Sequence, residues 1–123
     1  MERRLEGQTI LVVEDEPLIV LDVSQALEAA GASVTSTNTL HHALILVEHD
    51  GLSAAILDHA LGDGDSSQLC SRLNERGVPF IIYSGYTALD GECGHAPRLS
   101  KPATDEQLIT MVAGLMPAAS IEL

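Results

Sequence analysis

Tryptophan is absent from the 123 residues, and the aromatic content is limited to Phe80, Tyr83 and Tyr86, which fall within seven positions of one another. Basic side chains are also scarce, six against eighteen acidic ones, for a net charge of −12. A field of that sign repels nucleic acid and anionic membranes, so neither is expected as a partner, and it favours cations. Five of the six basic residues are arginines, which leaves Lys101 as the chain's one lysine. No apolar run approaches the length of a membrane span, and the opening Met-Glu-Arg-Arg-Leu-Glu-Gly-Gln has no apolar stretch of the kind a signal peptide needs. The chain therefore reads as soluble and cytoplasmic. Its two cysteines, Cys70 and Cys93, are too few for a disulfide framework and lack paired metal spacing, so reduced thiols are expected. A chain of this length accommodates one domain over 1–123, with a core from about 8 to 116.

What is present alternates in pattern type. Thr9 to Val13 is a short apolar, β-branched run of the kind found in a strand buried on both faces, and it stops at Glu14-Asp15-Glu16. Pro17 suits a first helical position, and apolar residues from Leu18 to Ala30 repeat at helical spacing until Gly31. Ala32 to Thr37 reads as a second strand. Asn38 or Thr39 then caps a helix bearing Leu40, Ala43, Leu44 and Val47. Ala54 to Leu57 is a third strand ending at Asp58. Asp65-Ser66-Ser67-Gln68 has capping-box spacing ahead of Leu69, Cys70 and Leu73. Val78 to Tyr83 is a fourth strand ending at Ser84-Gly85, Arg98 to Ser100 a fifth before Lys101-Pro102, and Thr104 to Gln107 caps a last helix through Leu115. Strands separated by single helices imply right-handed crossovers and an α/β, doubly wound, five-stranded parallel sheet of flavodoxin-like order 2-1-3-4-5.

Ligands of such sheets bind beyond the carboxyl ends of the strands. That order makes the first and third strands neighbours and brings Glu14, Asp15 and Asp58 into one crevice. Three carboxylates that close repel unless a cation intervenes, and hard oxygen ligands suit Mg²⁺. With Ser84 and Lys101 at the ends of the fourth and fifth strands, the crevice suits an incoming phosphoryl group. Asp58 is then the nucleophile, Ser84 a hydrogen-bond donor and Lys101 a point charge, while Gly85 leaves room for the entering group.

The four strand-end signals in this order, Glu14-Asp15, Asp58, Ser84-Gly85 and Lys101-Pro102, resemble those of response-regulator receiver domains of two-component signalling, over roughly Thr9 to Leu115. The resemblance implies that Asp58 accepts phosphate from a phosphohistidine of a sensor kinase or histidine phosphotransfer protein, without the chain being an enzyme beyond self-phosphorylation and slow autodephosphorylation. It also implies Mg²⁺ held by Asp15, Asp58 and the backbone carbonyl of Ala60, with Glu14 acting through water, and a cis bond before Pro102. With no effector region after Leu123, output is expected through a phosphorylation-dependent protein contact or as a phosphate sink. A receiver cut from a hybrid kinase is the alternative. Ser84-Gly85-Tyr86 further resembles the stand-alone FAT GUY group of receivers.

Departures from the family pattern are informative. Glu14 stands for the commoner Asp, and Ser84 for Thr. Arg98 occupies the position of the switch aromatic, three residues before the lysine, and Tyr86 is placed to influence phosphate access. The short stretch from Thr87 to Pro97 has no apolar stripe, so the fourth helix is expected to be shortened or missing. A small Mg²⁺-dependent phosphatase with an aspartate nucleophile wants a second acid two residues after Asp58, where Ala60 stands; a nucleotide site wants a glycine-rich loop where Glu14-Asp15 stands. His41 and His42 are expected on a solvated helix face, Tyr83 in the core, and Asp63-Gly64-Asp65 in a turn. His59, Cys70, Cys93 and His95 fit no standard zinc spacing.

Overall fold

The computed structural model describes residues 3–58, 60–61, 64–85, 93–94 and 96–116. Its elements in chain order are β1 (Thr9–Val13), α1 (Pro17–Ala29), β2 (Ser33–Thr37), α2 (Leu40–Leu46), β3 (Ala54–Leu57), β4 (Ala60–Leu61), β5 (Gly64–Asp65), α3 (Ser67–Arg76), β6 (Phe80–Ser84), β7 (Arg98–Ser100) and α4 (Asp105–Leu115). Five strands make a parallel sheet in the order β2-β1-β3-β6-β7. This is the expected 2-1-3-4-5 topology once the antiparallel ladder of β4 and β5 is set aside. Four helices are present among the described residues; positions 86–92 and 95, where the shortened fourth helix was expected, lie outside them.

Period-two alternation of the strands divides the core. Ile10, Val12, Ala54, Ile56, Ile81 and Tyr83 face one side and pack on α1 and α4 through Val23, Ala26, Leu27, Leu108 and Val112. Leu11, Val13, Ala55, Leu57, Phe80 and Ile82 face the other, against Ala43 and Val47 of α2 and Leu69, Cys70 and Leu73 of α3. Tyr83 is thus a core residue, as its place in the alternation predicts. Leu5, ahead of the expected core boundary, is fully buried, because its N–H donates to the Ala30 carbonyl and ties the N-terminal segment under the end of α1. Gly31 permits that docking: its φ is +103°, and a Cβ there would stand 2.9 Å from Glu6 Cα.

Local signals set most helix starts. Pro17 occupies the first turn of α1, Thr39 Oγ1 accepts from the His42 N–H, and Thr104 and Gln107 form a reciprocal capping box on α4. Helix α3 departs from expectation. It begins at Ser67 with Ser66 as its N-cap, not at the capping box read from Asp65. The Ser66 hydroxyl is buried and donates 2.6 Å to the backbone carbonyl of Asp58, so the N-cap residue spends its side chain on a tertiary contact and not on the first turn of α3.

The expectation of two reduced thiols is also corrected, because Cys70 and Cys93 form a disulfide. They are 23 residues apart in sequence, a spacing that says nothing of proximity, yet α3 and the chain leading into β7 lie on the same side of the sheet. Their Cα atoms are 5.3 Å apart, inside the range a disulfide spans.

Leu27 is fully buried between α1 and the sheet, whereas Leu18 on the same helix is 77% exposed. Leu27→Ala should cost about 3 kcal/mol in urea unfolding, the usual range for a buried leucine, and Leu18→Ala should leave the midpoint nearly unmoved. Equal losses in the two variants would contradict this assignment of the core.

Candidate phosphoacceptor site

Parallel register builds the site. Val13 pairs with Leu57, so the residues after them, Glu14 and Asp58, leave the sheet side by side. Ser84 pairs with Ser100, so Lys101 emerges beside Ser84 at the end of β7. The backbone continues these alignments one step past the strands. Glu14 N–H donates to Thr37 O at 3.0 Å, Asp58 N–H to Val13 O at 2.8 Å, and Lys101 N–H to Ser84 O at 3.2 Å.

Glu14 and Asp58 are buried and Asp15 is exposed, and carboxylate oxygens of the three lie within 4.8 Å of one another. Lys101 reaches into the same crevice, with Nζ 2.7 Å from Glu14 Oε1 and 3.6 Å from Asp58 Oδ1. The second Glu14 oxygen, Oε2, accepts from the Glu16 N–H at 3.0 Å. The Lys101 ammonium lies over the Tyr83 ring, with Nζ 5.7 Å from its centroid. The Tyr83 hydroxyl in turn accepts from Ala103 N–H at 3.0 Å and anchors the backbone just after Lys101. Ser84 is buried at the end of β6, and the Lys101–Pro102 peptide bond is cis.

One ammonium stands against three carboxylates, which leaves negative charge in excess. The donor set is all oxygen and therefore fits a hard divalent cation rather than a soft one. An open cavity of about 380 Å³ adjoins the acids, lined by Glu14, Asp15, Pro17, Ser36, Asn38 and His42. His41 and His42 lie on the exposed face of α2, as expected.

Comparison with known proteins agrees with this geometry. The sequence profile of the response regulator receiver domain matches residues 10–113. The chain belongs to this family. Among curated relatives, the transcriptional regulatory protein TcrA of Mycobacterium tuberculosis is 31% identical over 121 residues, which cover 91% of this chain and 47% of TcrA. The receiver domain thus spans about half the length of the curated relatives it matches. Among solved structures, a response regulator receiver protein from Sinorhizobium medicae is 29% identical with a TM-score of 0.80, covering 90% of this chain and 95% of that one. The receiver domain of the sensor histidine kinase PA1611 from Pseudomonas aeruginosa, solved with magnesium in its active-site cleft, is 25% identical with a TM-score of 0.78. It covers 89% of this chain and 97% of its own.

The remaining predicted site residues divide by position. Ala60 opens β4 two residues after Asp58, its backbone in register with Asp65. A Cβ added at Gly85 meets no atom of the described residues within 4 Å, so packing among them does not require this glycine. Arg98, in register with Ile82 on β7, is exposed at the position of the family's aromatic. Tyr86, His59, Asp63 and His95 lie outside the described residues. Two contributors had escaped the sequence reading, Ser66 behind Asp58 and the Tyr83 hydroxyl behind Lys101. Neither carries a local signal, since each acts on a backbone group distant in sequence.

Burial alone would lower the basicity of Lys101. The Glu14 hydrogen bond and the charges of Asp58 and Glu14 outweigh it and hold the ammonium above its ordinary value of 10.5. A lysine raised on folding stabilises the fold fully below its unfolded value and loses that contribution as pH rises through the folded one. The stability difference between wild type and Lys101→Met, followed by urea unfolding, should be constant from pH 7 to 9 and shrink above about 10.5. A difference that stays flat to pH 12 would contradict the ion pairing.

Proposed function

We propose that this receiver domain takes a phosphoryl group on Asp58 from the phosphohistidine of a sensor kinase or histidine phosphotransfer protein, in the cytoplasm. The observation that carries the reading is the convergence of the Asp58 carboxylate with two further acids and with the chain's only lysine, at adjoining strand ends. An Asp58 oxygen attacks phosphorus in line with the departing imidazole nitrogen. The P–N bond breaks as the P–O bond forms, and the imidazole leaves with a proton from solvent. Lys101, already 3.6 Å from Asp58 Oδ1, pairs with an equatorial phosphoryl oxygen, and the Ser84 hydroxyl donates to another. Gly85 leaves the entry open, and Tyr86 conditions access to it. With Arg98 in place of the aromatic on β7, the state of the site is not read out by a ring rotating toward Ser84.

Asp15, Asp58 and the Ala60 carbonyl would hold Mg²⁺, with Glu14 contributing through water. The ion, when bound, neutralises charge shared between the attacking and phosphoryl oxygens. The donor role rests further on α1, where Leu18 and Leu21 are 77% and 52% exposed one helical turn apart, just beyond Asp15. Exposed leucines of this kind suit the apolar face of a partner helix. Output follows from a protein contact that changes on phosphorylation, or from the drain of phosphate from the donor.

With acetyl phosphate and Mg²⁺, wild type should incorporate one acid-stable, base-labile phosphoryl group. Asp58→Asn should abolish labelling, removal of the divalent cation with EDTA should reduce it at least tenfold, and Glu28→Gln on the far part of α1 should be neutral. Labelling that persists in Asp58→Asn would refute the assignment. Replacing both Leu18 and Leu21 with alanine should slow transfer from a phosphorylated kinase at least tenfold while leaving uptake from acetyl phosphate unchanged; parallel loss with both donors would place these leucines in the fold or the chemistry instead.

A further inference from the structure

The Cys70–Cys93 disulfide is not used by the chemistry above, and its position is unusual relative to that site. Cys70 lies in the first turn and a half of α3, and its N–H donates to the Ser66 carbonyl at 2.8 Å. Ser66 Oγ donates in turn to the Asp58 carbonyl at 2.6 Å. Cys93 belongs to the stretch of chain that joins Ser84 to Lys101. Its carbonyl accepts from Ala96 N–H at 3.2 Å, and Pro97 O accepts from Ile82 N–H at 2.9 Å. The sulfur bridge therefore links the backbone behind Asp58 to the connection between the other two site residues. Both cysteines are buried among Leu57, Phe80, Ile82 and Leu69, and Leu57 directly precedes Asp58.

We infer that Cys70 and Cys93 form a reversible redox site, whose disulfide state holds the two halves of the phosphoacceptor site together and whose dithiol state releases them. The inference rests on the proposed function for the identity of that site and for the cytoplasm, where persistent disulfides are rare and those that form are usually transient or redox-sensing. Reduction is a pair of thiol–disulfide exchanges with a dithiol. The first thiolate attacks one sulfur and breaks the S–S bond to give a mixed disulfide. The second donor thiol resolves it, so two electrons and two protons pass to the cysteines and the donor becomes a disulfide. Hydrogen peroxide reverses the change: one thiolate attacks a peroxide oxygen, the O–O bond breaks to release hydroxide and leave a sulfenic acid, and the other cysteine thiol condenses with it, forming the S–S bond and releasing water. Since both sulfurs are buried, exchange proceeds through local opening of the fold.

The full chain, oxidised with hydrogen peroxide or reduced with dithiothreitol without denaturant, provides the test. Thiols are counted by alkylation and mass, and amide hydrogen exchange and labelling by acetyl phosphate are measured in each state. The expected result is zero and two thiols in the two states with retained far-UV dichroism. Exchange at the Asp58 and Lys101 amides should be at least tenfold faster after reduction, with that at Val23 and Val112 unchanged, and phosphoryl uptake severalfold slower. The variant with both cysteines replaced by alanine should match reduced wild type under either treatment. Two thiols after peroxide, reduction only in unfolding concentrations of urea, or identical exchange and uptake in both states would overturn the inference. If neither state is labelled, the phosphoacceptor reading fails instead, and the exchange rates alone decide the redox site.

Discussion

Lys101 answers an accumulation of negative charge that the parallel sheet itself creates. Register between β1 and β3 places Glu14 and Asp58 next to each other with their side chains largely out of water, and Asp15 follows at the rim. Burying like charges in that way is costly unless a counter-charge is near. The ammonium 2.7 Å from Glu14 and 3.6 Å from Asp58 offsets part of that cost and leaves the remainder available to a cation or to an arriving phosphoryl group with its cation. The same imbalance that makes the crevice unfavourable when empty of cations makes it receptive, so the electrostatic strain and the proposed chemistry have one origin.

The surrounding structure supports that balance by fixing backbone rather than by adding charges. The Tyr83 hydroxyl, on the α1 and α4 face of the sheet, takes the Ala103 N–H and fixes the backbone just after Lys101. Ser66 gives up a helix-capping role to hold the Asp58 carbonyl from behind. The disulfide then binds α3 to the connection between Ser84 and Lys101. The Ser66 contact restrains the main chain of Asp58 itself, while the Tyr83 hydroxyl and the disulfide restrain the chain on either side of β7, which leads to Lys101. Precision in the site comes from main chain held at several points, the general requirement for electrostatic preorganisation.

Membership in the receiver family accounts for the shared architecture, while the particulars of this chain lie in its departures. An exposed arginine stands at the position of the aromatic on β7, and a bridge ties α3 to the segment before that strand. Both changes affect the same side of the site. The exposed leucines are on α1, which packs on the sheet face opposite to the one that carries the disulfide.

Much of this was legible in the residues alone because its physics is local. Short β-branched runs, periodic apolar stripes, Pro17, Thr39 and the Thr104–Gln107 box specify strands and helices by spacing within one element. Acids or a lysine at strand ends become a crevice by topology, since parallel strands all finish on one edge. The single lysine among eighteen acids was itself a pointer to the site. The fold alone decided whatever depends on two distant segments meeting. Cys70 and Cys93 give no sign in sequence that they lie 5.3 Å apart, Ser66 carries no local mark of its contact with the Asp58 carbonyl, and Leu5 looks like a tail until α1 ends above it. Spacing along a chain constrains its neighbours in sequence; contact across a sheet is set by packing, which no local pattern encodes.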